Sequence, residues 1–193
     1  GKADMECGST TNNAERRQKV AFTIPHFITG ARLLVKAASP IDKVEDLNGK
    51  TLLFPSPNAF GASLFMRALL TREKGIKFVT KYVKTHPNVI RGVVRGEGQA
   101  GGMVSSTLLA ESQELQDKVT IVYETPPVPP HPIAAHPRVD TATQEALSKA
   151  ILNHIQRNKS VGAAIQISNP IRASYKKDYQ SLEKLGLEAF VSK

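Results

Sequence analysis

Residues 51–75, TLLFPSPNAFGASLFMRALLTREKG, decide the fold of this chain. The apolar run at residues 51–56 is typical of a buried strand. Pro57 and Asn58 then predict the start of a helix that continues to about Glu73, with Gly75 as its stop. A strand followed at once by a helix is the unit from which helix-covered parallel sheets are built. The stretch therefore predicts an α/β fold.

The same alternation continues along the chain on both sides of a proline-rich segment. Ser105 and Ser106 are predicted to cap a helix that follows a short strand, and Gly186 is predicted to end the last helix. PPVPPHP at residues 126–132 predicts a stiff extended connector, since proline donates no backbone hydrogen bond. The other predicted strands are 78–83, 100–104 and 119–123, and the other predicted helices are 87–95, 105–113, 141–157 and 175–185.

Composition limits the class of protein. The chain has 193 residues, which is enough for one domain or two small lobes. Its apolar runs fall well short of the roughly 20 residues of a membrane helix, and no signal peptide is visible, so either a leader was removed or the sequence starts internally. The single cysteine, Cys7, excludes an intrachain disulfide and is expected to be a small buried hydrophobe.

The net charge of +9 has two readings. The basic residues are scattered, and the pairs Arg16-Arg17 and Lys176-Lys177 are the densest clusters. This pattern favours a diffuse positive field that concentrates small anions, or a charge that serves solubility alone. A nucleic-acid-binding protein, the third class considered, would cluster its basic residues on one face.

The sequence contains no pattern of an enzyme. No ordered Ser/His/Asp set, paired carboxylate motif, phosphate loop with lysine or metal-ligand spacing is present. His131 and His136 flank the proline-rich segment, but two histidines do not make a zinc site. We therefore predict no catalysis, no cofactor and no metal.

CGSTTNNAER at residues 7–16 carries the first of two family resemblances. Residues 1–36 resemble the polar amino-acid-binding proteins of ABC transporters, close to the glutamate/aspartate branch. In that family the position of Arg16 pairs with the ligand α-carboxylate, and the positions of Ser9 and Thr11 help to hold it. A guanidinium fork suits a carboxylate because it donates two parallel hydrogen bonds.

A longer match covers residues 37–193, including KYVKTHPNV, YETPPVPPHPIAAHPRV and DYQSLEKLGLEAFV. These segments resemble the phosphate/phosphite/phosphonate-binding proteins. The resemblance implies a type II periplasmic-binding-protein-like α/β fold with two lobes and mostly parallel sheets. Lobe two is expected at residues 37–130, and lobe one, incomplete at its N-terminus, at 1–36 and 131–193. The two resemblances meet near residue 36, which leaves a chimera, a reconstructed sequence and a truncated chain as open explanations.

Two short segments are expected to form the hinge between the lobes. Residues 30–36 and 132–137 border the predicted lobe two, and both match hinge strands of the families. The sequence predicts that they run side by side. Lobe closure would then be the functional motion.

The resemblance also implies a lobe-two ligand site where a strand gives way to a helix. There this chain carries fewer hydroxyl groups than relatives with phosphonate-type ligands. His86 matches a histidine that contacts the ligand. An acidic residue that holds a ligand ammonium group in both families is replaced by Val104 or Ser105, which argues against an amine recognised from lobe two. The residues of the predicted site at the helix start are Asn58, Ala59, Phe60, Gly61 and Ser63.

These observations predict a non-enzymatic, extracytoplasmic solute-binding protein of an ABC transporter. It would capture a small phosphate- or phosphonate-like anion between two lobes and deliver it to a membrane permease. The protein would be periplasmic, or extracellular and lipid-anchored, and an incomplete lobe one would favour a homodimer. Two alternatives stay open: a glutamate/aspartate-type binding protein, and the sensor domain of a membrane receptor.

Overall fold

The computed structural model describes residues 3–6, 18–25, 30–128, 132–164 and 174–192. The chain divides into two compact units. The major unit comprises Thr29–Pro127 and Leu182–Lys193, and the minor unit comprises Gly1–Ile28 and Val128–Ser181. No helix in the described ranges is long and apolar enough to cross a membrane.

The described residues form eight strands and seven helices. The strands are β1 (Met5–Glu6), β2 (Ala21–Pro25), β3 (Ala31–Lys36), β4 (Thr51–Phe54), β5 (Val79–Tyr82), β6 (Ala100–Val104), β7 (Val119–Glu124) and β8 (Pro132–Ala135). The helices are α1 (60–73, from the consecutive segments Phe60–Phe65, Met66–Ala68 and Leu69–Glu73), α2 (His86–Arg95), α3 (Ser105–Leu109), α4 (Gln113–Gln116), α5 (Thr141–Arg157), α6 (Lys159–Ala164) and α7 (175–183, from Tyr175–Tyr179 and Gln180–Glu183). Short 3-10 turns lie at Val44–Leu47 and Leu187–Phe190.

The sheet of the major unit has five strands in the order β5-β4-β6-β3-β7. β4 pairs in parallel with β5 and with β6, whereas β3 pairs antiparallel with both β6 and β7. Four strands therefore run in one direction and only β3 opposes them. This result confirms the predicted α/β fold class, in a sheet that contains both parallel and antiparallel pairs.

The strand directions bring four strand ends to one edge of the sheet, which we call the carboxyl edge. β4, β5, β6 and β7 end there, and the antiparallel β3 begins there. Helices α1, α2 and α3 follow β4, β5 and β6, so they all start at this edge. Open α/β sheets bind ligands at such an edge, because helix N-termini offer unpaired N–H groups and a partial positive charge.

Two hydrophobic clusters cover the two faces of this sheet. On one face Leu33 and Phe54 pack with Met66 and Leu70 of α1. On the other face Leu34 and Leu53 pack with residues of α2 and α3 that include Val89, Ile90, Val93 and Leu108. Since each fully buried aliphatic side chain contributes about 1.5–3 kcal/mol, the two clusters fix both helix layers on the sheet.

Two consecutive glycines in β6 allow the helices to approach closely. A Cβ atom at Gly102 would lie 2.3 Å from the carbonyl oxygen of Ala62 in α1. A Cβ atom at Gly101 would lie 2.4 Å from Cγ1 of Val89 in α2. A side chain at either point of β6 would force the facing atoms of α1 or α2 to shift.

Two local predictions are wrong. Helix α1 begins at Phe60 and not at Pro57, because residues 57–59 form a turn that precedes it. Ser105 and Ser106 do not cap α3, since Val104 occupies the N-cap position and no side chain caps the helix. Strand β6 runs directly into α3, which is also shorter than predicted and is followed by the separate helix α4.

The minor unit contains a three-stranded antiparallel sheet in the order β1-β8-β2. Helix α5 spans the predicted residues 141–157. It starts where the Asp140 side chain accepts a hydrogen bond from the N–H of Thr143 (2.9 Å). Ile133 of β8 and Ile155 of α5 are buried in a small hydrophobic cluster.

The two predicted hinge segments belong to different sheets, and their running side by side remains a prediction. Strand β3 is flanked on one side by β6 and on the other by β7, so it has no free edge for a further strand. β8 pairs instead with β1 and β2 in the other sheet. The reason is the apolar run Leu33, Leu34 and Val35, which is buried on both faces and makes β3 an internal strand of the major unit.

Candidate functional site

The carboxyl edge carries the predicted lobe-two residues on neighbouring turns. The turn after β4 leads to Ala59 and α1, and the turn after β5 leads to His86 and α2. β4 and β5 are adjacent, and the N–H of Val83 donates to the carbonyl oxygen of Phe54 (2.9 Å), so the two turns start side by side. On the other side of β4 lies the end of β6 with Ser105.

The start of α1 offers backbone donors. Ala59 is the N-cap residue, and its carbonyl oxygen accepts from the N–H groups of Ser63 and Leu64, both at 3.0 Å. Within the described part of the chain, the N–H groups of Phe60, Gly61 and Ala62 have no hydrogen-bond acceptor. These are the orphan donors that a helix N-terminus presents to an anion.

The side chains of the same turn serve the fold. The Asn58 amide nitrogen donates to the carbonyl oxygen of Ser192 (2.9 Å), and its amide oxygen accepts from the Ser192 N–H (3.0 Å). Phe60 is buried and stacks on Phe65, with ring centroids 5.9 Å apart. Gly61 is buried, and a Cβ atom there would lie 3.7 Å from Cβ of Ala31. What remains at this turn for a ligand is its backbone.

Ser63 is buried, and its hydroxyl is hydrogen-bonded within the fold. Its side chain has 0% exposure, donates to the carbonyl oxygen of Pro57 (3.3 Å) and accepts from Nε of Arg67 (3.1 Å). The hydroxyl is therefore used within α1 and its preceding turn, and a role of Ser63 in the ligand site remains a prediction. The reason is helical spacing, because Ser63 and Arg67 are four residues apart and lie on the same face of α1.

Sequence reasoning missed Arg67. Its side chain is buried, at 8% exposure, and Nη2 donates to the carbonyl oxygens of Pro57 and of Phe190. The guanidinium also lies over the rings of Tyr82 and Phe190, 5.7 Å from each centroid. Burial lowers the pKa of Arg67. The available signal was its position in the apolar run at residues 64–70, four residues after Ser63.

His86 begins α2. The Thr85 hydroxyl caps the helix by accepting from the N–H of Asn88 (3.3 Å), and Pro87 occupies the first turn. Nδ1 of His86 is buried and has no hydrogen-bond partner among the described residues. Burial lowers the pKa of His86, which favours the neutral ring. A neutral imidazole carries one donor and one acceptor, so Nδ1 is left to pair with a ligand or water.

The far end of the carboxyl edge holds an acidic residue, Glu124. The Ser105 hydroxyl, after β6, donates to the carbonyl oxygen of Gly30 (3.3 Å). Glu124, the last residue of β7, has a half-exposed side chain, and Oε2 lies 3.2 Å from Nε of Arg32. The Nε–H is not aligned for a hydrogen bond, so this contact is an ion pair. The carboxylate that Val104 and Ser105 do not provide is thus present two strands away.

The predicted lobe-one residues Ser9, Thr11 and Arg16 lie outside the described residues, as does His131. His136 is described, and its Nδ1 accepts from the N–H of Arg138 (3.2 Å). In the described ranges no group of three His, Cys, Asp or Glu side chains could hold a metal ion.

Comparison with known proteins decides the family. The family model described as the periplasmic substrate-binding protein of a phosphonate ABC transporter matches residues 25–188. The chain belongs to this phosphonate-binding family. The match covers both units, and it agrees with the predicted resemblance and with an extracytoplasmic, periplasmic location.

Curated relatives carry the second predicted resemblance. The glutamate/aspartate import solute-binding protein of Salmonella typhimurium is 33% identical over 112 residues, which are 58% of this chain and 36% of the relative. The L-glutamate/L-aspartate-binding protein of Pseudomonas aeruginosa is 47% identical over 53 residues, 28% of this chain and 18% of the relative. The chain thus spans about a third or less of the length of these relatives. Both are named as binding proteins, and the first is named as part of an import system.

Solved structures confirm the fold. XAC2383 from Xanthomonas citri bound to ATP matches with a TM-score of 0.74 at 15% identity, over 92% of this chain and 75% of that chain. An ancestral arginine-binding protein bound to arginine matches with a TM-score of 0.60 at 22% identity, over 92% and 72%. The chain therefore has the two-lobed type II binding-protein fold that its sequence predicts.

Proposed function

We propose that this chain is the ligand-capturing part of an ABC-transporter solute-binding protein and that it holds a small phosphate- or phosphonate-like anion at the carboxyl edge of the major sheet. The observation that carries the proposal is the pairing of two neighbouring turns. One offers the unpaired N–H groups of residues 60–62, and the other offers the unpartnered Nδ1 of His86. The family match supports the same ligand class.

The chemistry of the two turns suits an oxyanion. Phosphonate oxygens accept several hydrogen bonds at once, and the start of α1 supplies donors together with a partial positive charge. His86 donates from Nδ1 when that nitrogen carries the proton, so it adds a side-chain donor to a backbone site. The net charge of +9 raises the local concentration of anions before they bind.

A glutamate- or aspartate-type ligand is the second candidate. The curated relatives favour it, since their names describe proteins that bind these amino acids. Glu124 is the specific structural feature in its favour, because a half-exposed carboxylate at the carboxyl edge can accept from an ammonium group. Against it stands the ion pair with Arg32, which already uses that carboxylate.

The partner would be the membrane permease of the transporter, and the protein would be periplasmic, either free or anchored by a lipid. The alternative role as a sensor domain uses the same ligand chemistry with a different partner. A homodimer remains a prediction from the sequence alone. A membrane-spanning segment in the full-length gene would favour the sensor.

Calorimetric titration with phosphate, methylphosphonate, L-glutamate and L-aspartate tests the ligand class. We expect the anions to bind and His86→Ala to weaken them by about 1–3 kcal/mol, the cost of losing a buried hydrogen bond to a charged group. His154→Ala, which removes an exposed histidine of the minor unit, is the matched control and should change nothing. Tight amino-acid binding that His86→Ala leaves intact would contradict the anion proposal.

Arg16→Ala tests the amino-acid-like half of the sequence in the same titration. If Arg16 pairs with a ligand carboxylate, its loss should weaken glutamate and aspartate by about 2 kcal/mol or more. Phosphate lacks a carboxylate and should be affected less. Equal binding of all four ligands by the variant and the wild type would remove Arg16 from the site.

A further inference from the structure

Arg67 is a buried arginine that has no acidic partner in the described part of the chain. Buried arginines are rare and usually pair with a carboxylate. Here the acceptors are neutral: the hydroxyl of Ser63 and the carbonyl oxygens of Pro57 and Phe190. The charged side chain of Arg67 therefore holds two segments of backbone.

The first piece of backbone is the peptide that joins Pro57 to Asn58. Its carbonyl oxygen accepts from Arg67 Nη2 and from the Ser63 hydroxyl, so it points towards the buried guanidinium. The chain contains no cis peptide in its described residues, and in a trans peptide the N–H points opposite to the C=O. The N–H of Asn58 is thus directed away from Arg67, on an exposed residue, and has no acceptor among the described residues.

The second piece of backbone is the segment 187–192, which we call the clamp segment. Its Phe190 carbonyl oxygen accepts from Arg67 (2.8 Å), and the Phe190 ring lies under the guanidinium groups of Arg67 and Arg72. Two residues later Ser192 makes both hydrogen bonds with the Asn58 side chain. The clamp segment and Arg67 therefore both hold the turn before α1.

We propose that Arg67 is a positioning residue for ligand binding: with the clamp segment, it fixes the turn at residues 57–61 so that the backbone donors of Asn58 and of the first turn of α1 face the anion. The inference rests on the proposed function. Arg67 touches no ligand in this scheme, and its buried positive charge adds to the field of the helix start. Loss of the Arg67 contacts to Pro57 and Phe190 should lower the affinity for the anion, although every backbone donor is still present.

The experiment compares Arg67→Met and Arg67→Lys with the control Arg72→Met. Arg72 also lies over the Phe190 ring (5.5 Å) but is exposed and has no hydrogen bond to Pro57. In the ligand-free protein, amide NMR signals of residues 58–61 should shift in Arg67→Met, whereas the β6 signals stay. Phosphate and methylphosphonate affinity should fall by about tenfold in Arg67→Met and stay within about twofold in Arg72→Met. Arg67→Lys keeps the positive charge but loses the forked guanidinium group, so its anion affinity should lie between those of Arg67→Met and Arg72→Met.

A folded Arg67→Met protein whose residue 58–61 signals and anion affinities match the wild type would overturn the inference. So would a loss of affinity equal in Arg72→Met. If Arg67→Met does not fold, Arg67→Lys and Phe190→Leu provide the same comparison with smaller changes. If the wild type binds none of the anions, the proposed function fails, and the ligand-free NMR signals still decide whether Arg67 orients the turn.

Discussion

The two helix starts at the carboxyl edge are built in opposite ways. Helix α2 is held by its own neighbours, since Thr85 caps it, Pro87 fits its first turn and the Asn88 side chain donates to the carbonyl oxygen of Val83 (2.9 Å). Helix α1 has no side-chain cap at Ala59. Its preceding turn is held by Arg67 and by Ser192, which is 134 residues away from Asn58.

This difference separates the chemistry of the two turns. The locally capped start leaves the His86 ring without a partner at Nδ1, so a side chain is available there. At the start of α1 the side chains are used by the fold, and only backbone N–H groups remain. A substitution at His86 removes the imidazole directly. The backbone N–H groups at the start of α1 can be changed only by substituting the side chains that hold the turn in place.

The largest expected effect comes from Gly102, which lets α1 lie against β6. A Cβ atom there would meet the Ala62 carbonyl oxygen at 2.3 Å and the Phe54 ring at 2.7 Å, and neither can move alone. We expect Gly102→Ala to lower the free energy of unfolding by about 3 kcal/mol, at the upper end for overpacking. Urea denaturation measures the loss.

Gly101→Ala is the matched control on the opposite face of β6. Its Cβ atom would meet the side chains of Val89 and Val93, which can shift, so a smaller loss of about 1–2 kcal/mol is expected. An equal or larger loss at Gly101 would show that α2 is held as rigidly as α1 and would remove the contrast between them.

Ser63→Ala tests whether the turn before α1 is structural. The hydroxyl accepts from Arg67 and donates to Pro57, so its loss should lower the free energy of unfolding by about 1–2 kcal/mol. Anion affinity should change much less than in His86→Ala, since no ligand reaches a fully buried hydroxyl. The opposite result, a stable protein with weakened binding, would support Ser63 as a ligand residue.

The local features of the fold were predictable from the sequence, and the long-range ones were not. Helix α5 and strand β6 match their predicted residues, and Gly75 follows α1 with a φ of +68°, as a stop signal requires. Periodicity and caps are encoded by nearby residues, which explains this success.

Strand β3 and the turn before α1 show where sequence reasoning stops. The apolar run of β3 fitted a hinge strand as well as an internal strand, and only its two neighbours in the sheet show that it is internal. The pairing of Asn58 with Ser192 joins residues that share no motif. His86, by contrast, was found because a family resemblance pointed to it.

Thr85→Ala tests the local cap of α2. The hydrogen bond from the Asn88 N–H is 3.3 Å long, so the loss should be about 0.5–1 kcal/mol, at the low end for helix caps. Thermal or urea denaturation measures it. A loss as large as that of Ser63→Ala would mean that α2 depends on one hydrogen bond as strongly as the start of α1 depends on its distant contacts.

The smallest expected effect is the pH response of His86. Burial lowers the pKa of His86 below its ordinary value of 6.5, so the unfolded chain takes up this proton more readily than the folded chain. Above that value both states are neutral and His86 contributes no pH dependence. As the pH falls below 6.5, the destabilisation of the fold by His86 grows, and it stops growing once the folded ring is protonated as well. His86→Gln should therefore gain stability relative to the wild type between about pH 7.5 and pH 5.

Denaturation of both proteins with and without sulfate, whose charge is constant over this range, completes the test. A bound anion favours the imidazolium, so sulfate should reduce or reverse the gain in stability of His86→Gln. The same gain in both conditions would place His86 outside the anion site and leave the backbone donors of α1 to act alone.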